Sequence, residues 1–436
     1  MNFFDQTAAL AIPEFLTSTT AIFVYLFVIL AAVVVLILSL MFKENRTKDT
    51  EYHVVGIPSA DAAESKAGAG EEGERELEER FNKLSTIQRN QASLVRPHYD
   101  KNVTLERFCN DLRSFAAYST PPLYYDIADI RRLIAGMAVS QLLILQGMSG
   151  TGKTSLARIF GAFVDNPSTI IAVQPMWKER TDLVGYYNEF TRRFNETLLL
   201  EKMYEARYNK DLYITVLDEM NIARVEYYFA EFLSSLEIPD PMARIIDIVA
   251  DAWDNDPKHI DNGRFRLPEN MWFIGTANND DSTFAISDKV YDRAMILNLD
   301  TKCEPFIATR TPKTHISYDQ FCALVKEAQE SYALSRRNEE RLRELDAYMI
   351  EHFQITFGNR IMKQVRGYVP VYIACGGTEL EALDDILSKK IMRKLEAKNP
   401  SQLNREAKGL YNCINSLFGT DKMPLCLAYI RRLATI

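Results

Sequence analysis

Nine consecutive residues carry the most specific chemistry in this chain: Gly147, Met148, Ser149, Gly150, Thr151, Gly152, Lys153, Thr154 and Ser155. They spell G-x4-G-K-T, the spacing of a phosphate-binding loop. The glycines let the backbone curl until its N–H groups point inward at phosphate oxygens, and a helix beginning at the lysine adds its positive end. Lys153 would supply charge between β- and γ-phosphates, and the Thr154 hydroxyl would ligate Mg²⁺. Such a loop needs an acid to hold the metal, and Asp218 is the candidate, acting through water. Glu219, one residue on, can polarise an attacking water, so the pair fits hydrolysis better than binding alone. Asn278 offers an amide able to hold that water or the γ-phosphate.

Each of these residues falls at the end of a readable element. The loop follows a short apolar run, residues 141–146 (QLLILQ), and precedes SLARIFGAFV, which has helical spacing of apolar residues. Residues 212–217 (LYITVL) are apolar and β-branched and run straight into Asp218 and Glu219. A third run, 270–275 (NMWFIG), leads into Thr276, Ala277, Asn278 and Asn279. In open α/β sheets ligands bind outside the carboxyl ends of parallel strands, where all three runs deliver their polar residues.

In this order the elements resemble the AAA+ ATPases, and specifically their McrB-like, dynein-related branch, over about residues 95–395. Besides the loop, the resemblance rests on WKERTDLVGYYNEFTRRF (177–194), LDEMNIARVEYYFAEFLSSLE (217–237) and GRFRLPENMWFIGTANNDDSTFAISDKVYDRA (263–294). FGNRIMKQVRGYV (357–369) and LDDILSKKIMRKL (383–395) resemble the branch's helical lid. The resemblance implies an α/β P-loop NTPase core, a parallel sheet flanked by helices, with a C-terminal α-helical lid. It makes Asn278 the sensor-1 residue, Arg293 an arginine finger reaching the next subunit's nucleotide, and Arg360 the sensor-2 cation from the lid. An arginine supplied in trans is worth roughly 10³–10⁵ in rate, so the resemblance also implies a homo-oligomeric ring, hexameric in that class. For Arg293 the alternative is a surface arginine paired with Asp288 or Asp292. The chain has ANNDDST where the branch's methylcytosine-restriction GTPase has MNTADRS, which leaves ATP rather than GTP as the expected nucleotide. That enzyme's N-terminal DNA-recognition domain is missing as well. Trp177, Arg180, Tyr186 and Tyr187 sit in a segment that in this branch approaches the ring's centre, although such aromatics more often pack.

Composition adds an anchor. The 436 residues are 47% hydrophobic and 25% charged, with a net charge of −8, which excludes a disordered or collagenous chain and does not favour nucleic-acid binding by bulk charge. Six dispersed cysteines, without ligand-spaced histidines, predict neither a zinc site nor a disulfide framework. The stretch 21–38 (AIFVYLFVILAAVVVLIL) has no charged residue. Extended to Phe42, about 22 residues at 1.5 Å each give roughly 33 Å, enough to cross a bilayer core. Lys43, Arg46 and Lys48 follow, so the positive-inside rule puts the following bulk in the cytoplasm. The expected organisation is an extracytoplasmic start (1–19), one transmembrane helix (20–42) in the inner membrane, a polar linker (43–95), an α/β subdomain (96–300) and a helical lid (301–436). Segment 238–262 is read as a solvated helix and loop, with a protein-docking insert as the alternative. Three functions fit: an anchored motor remodelling an unidentified protein partner, a McrB-like defence NTPase driving a nuclease, or a nucleotide-gated scaffold. The intact Lys153, Thr154, Asp218, Glu219 and Asn278 argue against the third.

Overall fold

The computed structural model describes residues 79–434 except 96–97, 279–282 and 301. All of them belong to one compact unit, Arg75–Ile436. The expected transmembrane span and most of the linker lie outside the described residues. Among the described residues no helix is long and apolar enough to cross a membrane.

Ten strands are described: β1 (Leu142–Gly147), β2 (Thr169–Ala172), β3 (Gly185–Asn188), β4 (Arg193–Glu196), β5 (Tyr213–Asp218), β6 (Ile245–Asp247), β7 (Ile260–Asp261), β8 (Arg264–Arg266), β9 (Met271–Asn278) and β10 (Met295–Asn298). Five of them form a parallel sheet in the order β10-β1-β9-β5-β2. Side chains alternate across a strand, so each central strand feeds two cores. Leu143, Leu145, Ile214, Val216, Trp272 and Ile274 enter one of these. Leu142, Ile144, Tyr213, Leu217, Met271 and Phe273 enter the other. Burial on both faces is why these strands read as continuous apolar runs rather than alternating ones.

The helices introduced here are α1 (Asn82–Arg89), α2 (Leu105–Ala117), α3 (Ile127–Val139), α4 (Lys153–Phe163), α5 (Leu198–Glu205), α6 (Ala230–Ser235) and α7 (Asp288–Arg293). The C-terminal part is helical: α8 (Tyr318–Ser331), α9 (Arg336–Phe353), α10 (Gly358–Ala374), α11 (Glu379–Lys390), α12 (Pro400–Phe418) and α13 (Pro424–Leu433). Two of these starts are written into the sequence as capping boxes, Ser317 with Gln320 and Thr378 with Glu381. The lid expected from residue 301 begins its first helix only at Tyr318, and residues 302–316 are a strap without helix or strand.

Segment 238–262 is more ordered than a solvated helix and loop. Its Ile245–Asp247 and Ile260–Asp261 flank β8 in a three-stranded antiparallel sheet. Ile246 and Ile260 are buried there, so apolar packing holds the segment down.

Candidate active site

The loop 147–152 turns from β1 into α4 at the carboxyl edge of the parallel sheet. Gly147 has φ +148°, and a Cβ there would lie 2.4 Å from the Leu299 carbonyl oxygen, so only glycine lets the loop leave β1 beside the exit of β10. Gly152, at φ +89°, caps α4, and its carbonyl accepts from Tyr125 Oη at 3.0 Å. Burial raises the Tyr125 phenol above its ordinary range, so it stays a donor. Lys153 opens α4 and is buried. Its Nζ donates to the carbonyls of Gly147 at 3.0 Å and Met148 at 2.7 Å.

The neighbouring strands meet this loop through one carboxylate. Asp218 Oδ1 accepts from Thr154 Oγ1 at 2.6 Å and from Thr276 Oγ1 at 2.8 Å. Thr276 Oγ1 in turn accepts the Glu219 backbone N–H at 2.9 Å. Register explains the contact: Leu217 pairs with Gly275, which sets Asp218 level with Thr276. Glu219 follows with φ +53°, a left-handed conformation costly for a side chain of its size, and the residue is exposed. A kink at the end of a parallel strand thus keeps Asp218 at the loop and turns Glu219 toward solvent.

Asn278 ends β9 and pairs with Gly147 across the sheet, so it does sit at the loop. Strand β9 runs three residues beyond the expected Gly275. The Asn278 carbonyl accepts from Asn221 Nδ2 at 3.0 Å and Thr283 Oγ1 at 3.1 Å, which ties the chain after β9 to the turn after β5.

A cavity of about 590 Å³ adjoins the loop, walled by Leu123, Tyr124, Tyr125, Gly150, Lys302 and Glu304 among others. Its far wall comes from the strap, where Phe306 packs on Tyr124 at 5.4 Å and under the Arg113 guanidinium at 3.8 Å.

The two candidate arginines are elsewhere. Arg293 ends α7, just before β10, and Leu143 pairs with Met295. Arg293 is therefore at the amino edge of the sheet, two residues before Met295, whose level is itself roughly four strand residues or ~13 Å from that of Gly147. Its Nη2 is 2.7 Å from Glu237 Oε2 rather than paired with Asp288 or Asp292. Asp288 is taken by Arg393 at 2.7 Å. Arg360, at the start of α10, lies 2.7 Å from the other oxygen, Glu237 Oε1. The lid thus brings Arg360 beside Arg293 on one carboxylate.

Of the proposed central aromatics, Trp177 packs on Tyr228 and Tyr187 on Trp253, while Arg180 pairs with Glu231 at 2.9 Å. Tyr186 is half-exposed, and Phe190, at the turn between β3 and β4, is fully exposed.

Residues 142–294 match the AAA domain of the dynein-related subfamily. The chain is an ATP-hydrolysing P-loop NTPase. A comparison of the ATPase with curated proteins finds no match. Among solved structures it is similar to a candidate ATPase from Cytophaga hutchinsonii, with 13% identity and a TM-score of 0.45 over 76% of this chain and 96% of that one. It is also similar to a full-length MCM homolog from Methanopyrus kandleri, with 11% identity and a TM-score of 0.37, over 66% of this chain and 60% of that one. At those values neither likeness bears on what the ATPase acts upon.

Sequence reading passed over Thr276, Tyr125, Asn221 and Glu237. Thr276 stands two residues before Asn278 in the run TAN but reads as an ordinary β-branched strand residue. Glu237 closes the quoted block 217–237, where it looks like one more exposed helix-end acid.

Proposed function

We propose that this ATPase binds MgATP at the interface between copies in a ring, hydrolyses it with Glu219, and uses the cycle to remodel a protein partner at the membrane. The observation that carries the reading is the convergence of Thr154, Thr276 and the Glu219 backbone on Asp218. In this reading the triphosphate lies along Gly147–Ser155, and the Lys153 ammonium exchanges the Gly147 and Met148 carbonyls for phosphate oxygens. The base and ribose occupy the cavity between Tyr124, Tyr125 and the strap. Thr154 and Asp218 offer hard oxygen donors 2.6 Å apart, a set that fits Mg²⁺. Bound there, Mg²⁺ would neutralise charge on the β- and γ-oxygens. The Glu219 carboxylate accepts a proton from the attacking water while Asn278 orients that water against the γ-phosphate. Arg293, at the opposite edge of the sheet, serves the nucleotide of a neighbouring copy and stabilises charge as the γ-phosphate departs.

The membrane part of the proposal rests on the uncharged stretch 21–38 and the basic residues after it. It makes residues 20–42 a single inner-membrane anchor with the ATPase in the cytoplasm. A net charge of −8 favours a protein partner over nucleic acid.

Glu219→Gln tests the catalytic reading. It is expected to retain ATP while turnover falls at least a hundredfold, and the nucleotide recovered from the protein should be ATP rather than ADP. Wild-type turnover in that variant would refute the assignment.

A further inference from the structure

Asn221 stands two residues after Glu219, in the turn Met220–Ile222 that follows β5, and it is buried. Its Nδ2 faces three oxygens of the chain at and after the end of β9. They are the Asn278 carbonyl at 3.0 Å, the Thr283 hydroxyl at 2.9 Å and the Phe284 carbonyl at 3.3 Å. The Phe284 backbone N–H returns a bond to the Asn221 carbonyl at 2.8 Å. Thr283 Oγ1 donates to the Asn278 carbonyl at 3.1 Å and closes the knot. Two of the three oxygens are carbonyls, which only accept, so the amide nitrogen and not its oxygen must face them. One side chain from the Glu219 turn thus holds the chain both before and after residues 279–282.

Stability alone does not account for an asparagine here. Its Oδ1 is buried and has no hydrogen-bond partner among the described residues, and an orphaned buried acceptor is destabilising. Glu219, at the start of the same turn, is held at φ +53°, a second local cost. The turn between them is pinned on its other sides. Tyr228 Oη donates to the Met220 carbonyl at 2.8 Å, and the Ile222 N–H donates to the Glu219 carbonyl at 2.9 Å. The Met220 side chain fills the space that Gly275 leaves open on β9. A turn held this firmly, with Glu219 at one end and Asn221 at the other, ties the end of β9 to the same frame as the carboxylate. Strain concentrated at one point of a fold marks a place where geometry is kept for function.

We propose that Asn221 is a positioning residue for hydrolysis. It clamps the Asn278 end of β9 to the turn that carries Glu219, so the amide that orients the water and the carboxylate that takes its proton keep one spacing. In this role Asn221 touches neither nucleotide nor water and acts through Asn278. Small displacements of such a pair are costly in rate, because the water must meet the γ-phosphate in line. The proposal rests on the reading that Glu219 and Asn278 handle the attacking water.

A double-mutant cycle on the full-length protein, read by steady-state ATP turnover, tests it. Asn221→Ala should lower kcat about tenfold to a hundredfold, with KM for ATP held within about twofold. Asn278→Ala should lower kcat at least about tenfold, and it leaves the backbone carbonyl that Asn221 holds in place. The double variant should be no slower than the slower single variant, because both changes remove the same placed amide. Losses that multiply in the double variant would overturn the proposal and leave the catalytic reading standing. Unchanged kcat in Asn221→Ala, or a raised KM alone, would overturn it as well. Wild-type turnover in Asn278→Ala would refute the reading of Asn278, and the proposal with it. Thermal melts show whether Asn221→Ala is folded at the assay temperature. If it is not, Thr283→Val takes its place in the cycle, since it keeps the side chain's shape and removes one strand of the knot. Thr283→Val should lower kcat about threefold on its own and add nothing to Asn278→Ala. A loss that adds in full to that of Asn278→Ala would overturn the clamp.

Discussion

Thr276 links the two acids of the site, donating to Asp218 and accepting the Glu219 backbone N–H. Without its hydroxyl, the Glu219 N–H loses its acceptor at a residue already in a costly backbone conformation. An orphaned donor of that kind costs about 1–3 kcal/mol. The Thr276→Val variant keeps the side chain's shape, so the loss is expected to appear in the orientation of Glu219. Its kcat should fall about tenfold to a hundredfold with KM for ATP nearly unchanged, and Thr276→Ser should restore most of the rate. Steady-state kinetics of the two variants decide this. Gly147→Ala should be more damaging, because its methyl would collide with the Leu299 backbone rather than with a side chain that can move.

At the scale of elements, the lid is joined to the core by buried polar contacts as well as apolar ones. Asp385, on α11, is buried and meets Lys389 Nζ at 2.5 Å, Arg132 Nε of α3 at 2.8 Å and Tyr368 Oη of α10 at 2.7 Å. Asp385→Ala would strand the buried Lys389 ammonium, while the half-buried Arg132 keeps its pair with Asp129 at 2.7 Å; leaving one buried charge unpaired is a change worth about 3–5 kcal/mol. Chemical denaturation should show that loss, whereas a polar surface change such as Lys326→Gln should leave stability within about 0.5 kcal/mol. The next residue but four, Lys390, reaches from α11 to the end of α7, donating to the carbonyls of Tyr291 at 2.8 Å and Ala294 at 2.6 Å, and more weakly to that of Asp292. Burial pushes its amine down to about 7, against the attraction of Asp292 and with the repulsion of Arg393, Lys394 and Arg360. Because the folded value lies below the unfolded one, the unfolded chain binds more protons between about pH 7 and pH 10. Stability contributed through this group therefore rises with pH across that window. Relative to Lys390→Met, the wild type should gain up to about 1.4 kcal/mol per pH unit there, measured by denaturant unfolding at several pH values.

For the whole molecule, the two edges of the parallel sheet carry different groups. The carboxyl edge carries the loop, Asp218 and Glu219, and the amino edge carries Glu237 with its arginines. In the proposed reading a single copy does not bring its own Arg293 to its own triphosphate. Turnover per copy is therefore expected to rise steeply with protein concentration and to follow the oligomer fraction seen by sedimentation. Removing residues 1–42 should move the protein from the membrane pellet to the supernatant while turnover survives at concentrations that allow assembly. A truncated protein that still pelleted with membranes would remove the single-anchor reading.

The phosphate loop and its acid pair were legible in the sequence because each is a run of neighbours. Spacing alone dictates which way Gly147–Ser155 can fold, and an apolar strand that ends in Asp218–Glu219 delivers both acids to one place. Asn278 was legible for the same reason. The link between them was not, since a hydroxyl such as that of Thr276 is common in any strand and gains meaning only from the register that sets it beside Asp218. Arg293 and Arg360 were found by resemblance, each as a separate cation. Their meeting on Glu237 depends on how the ends of α6, α7 and α10 converge, and no local pattern encodes a contact among residues 237, 293 and 360. Tertiary packing decided at which edge of the sheet each cation lies, because the length of a strand separates Arg293 from the loop of its own chain.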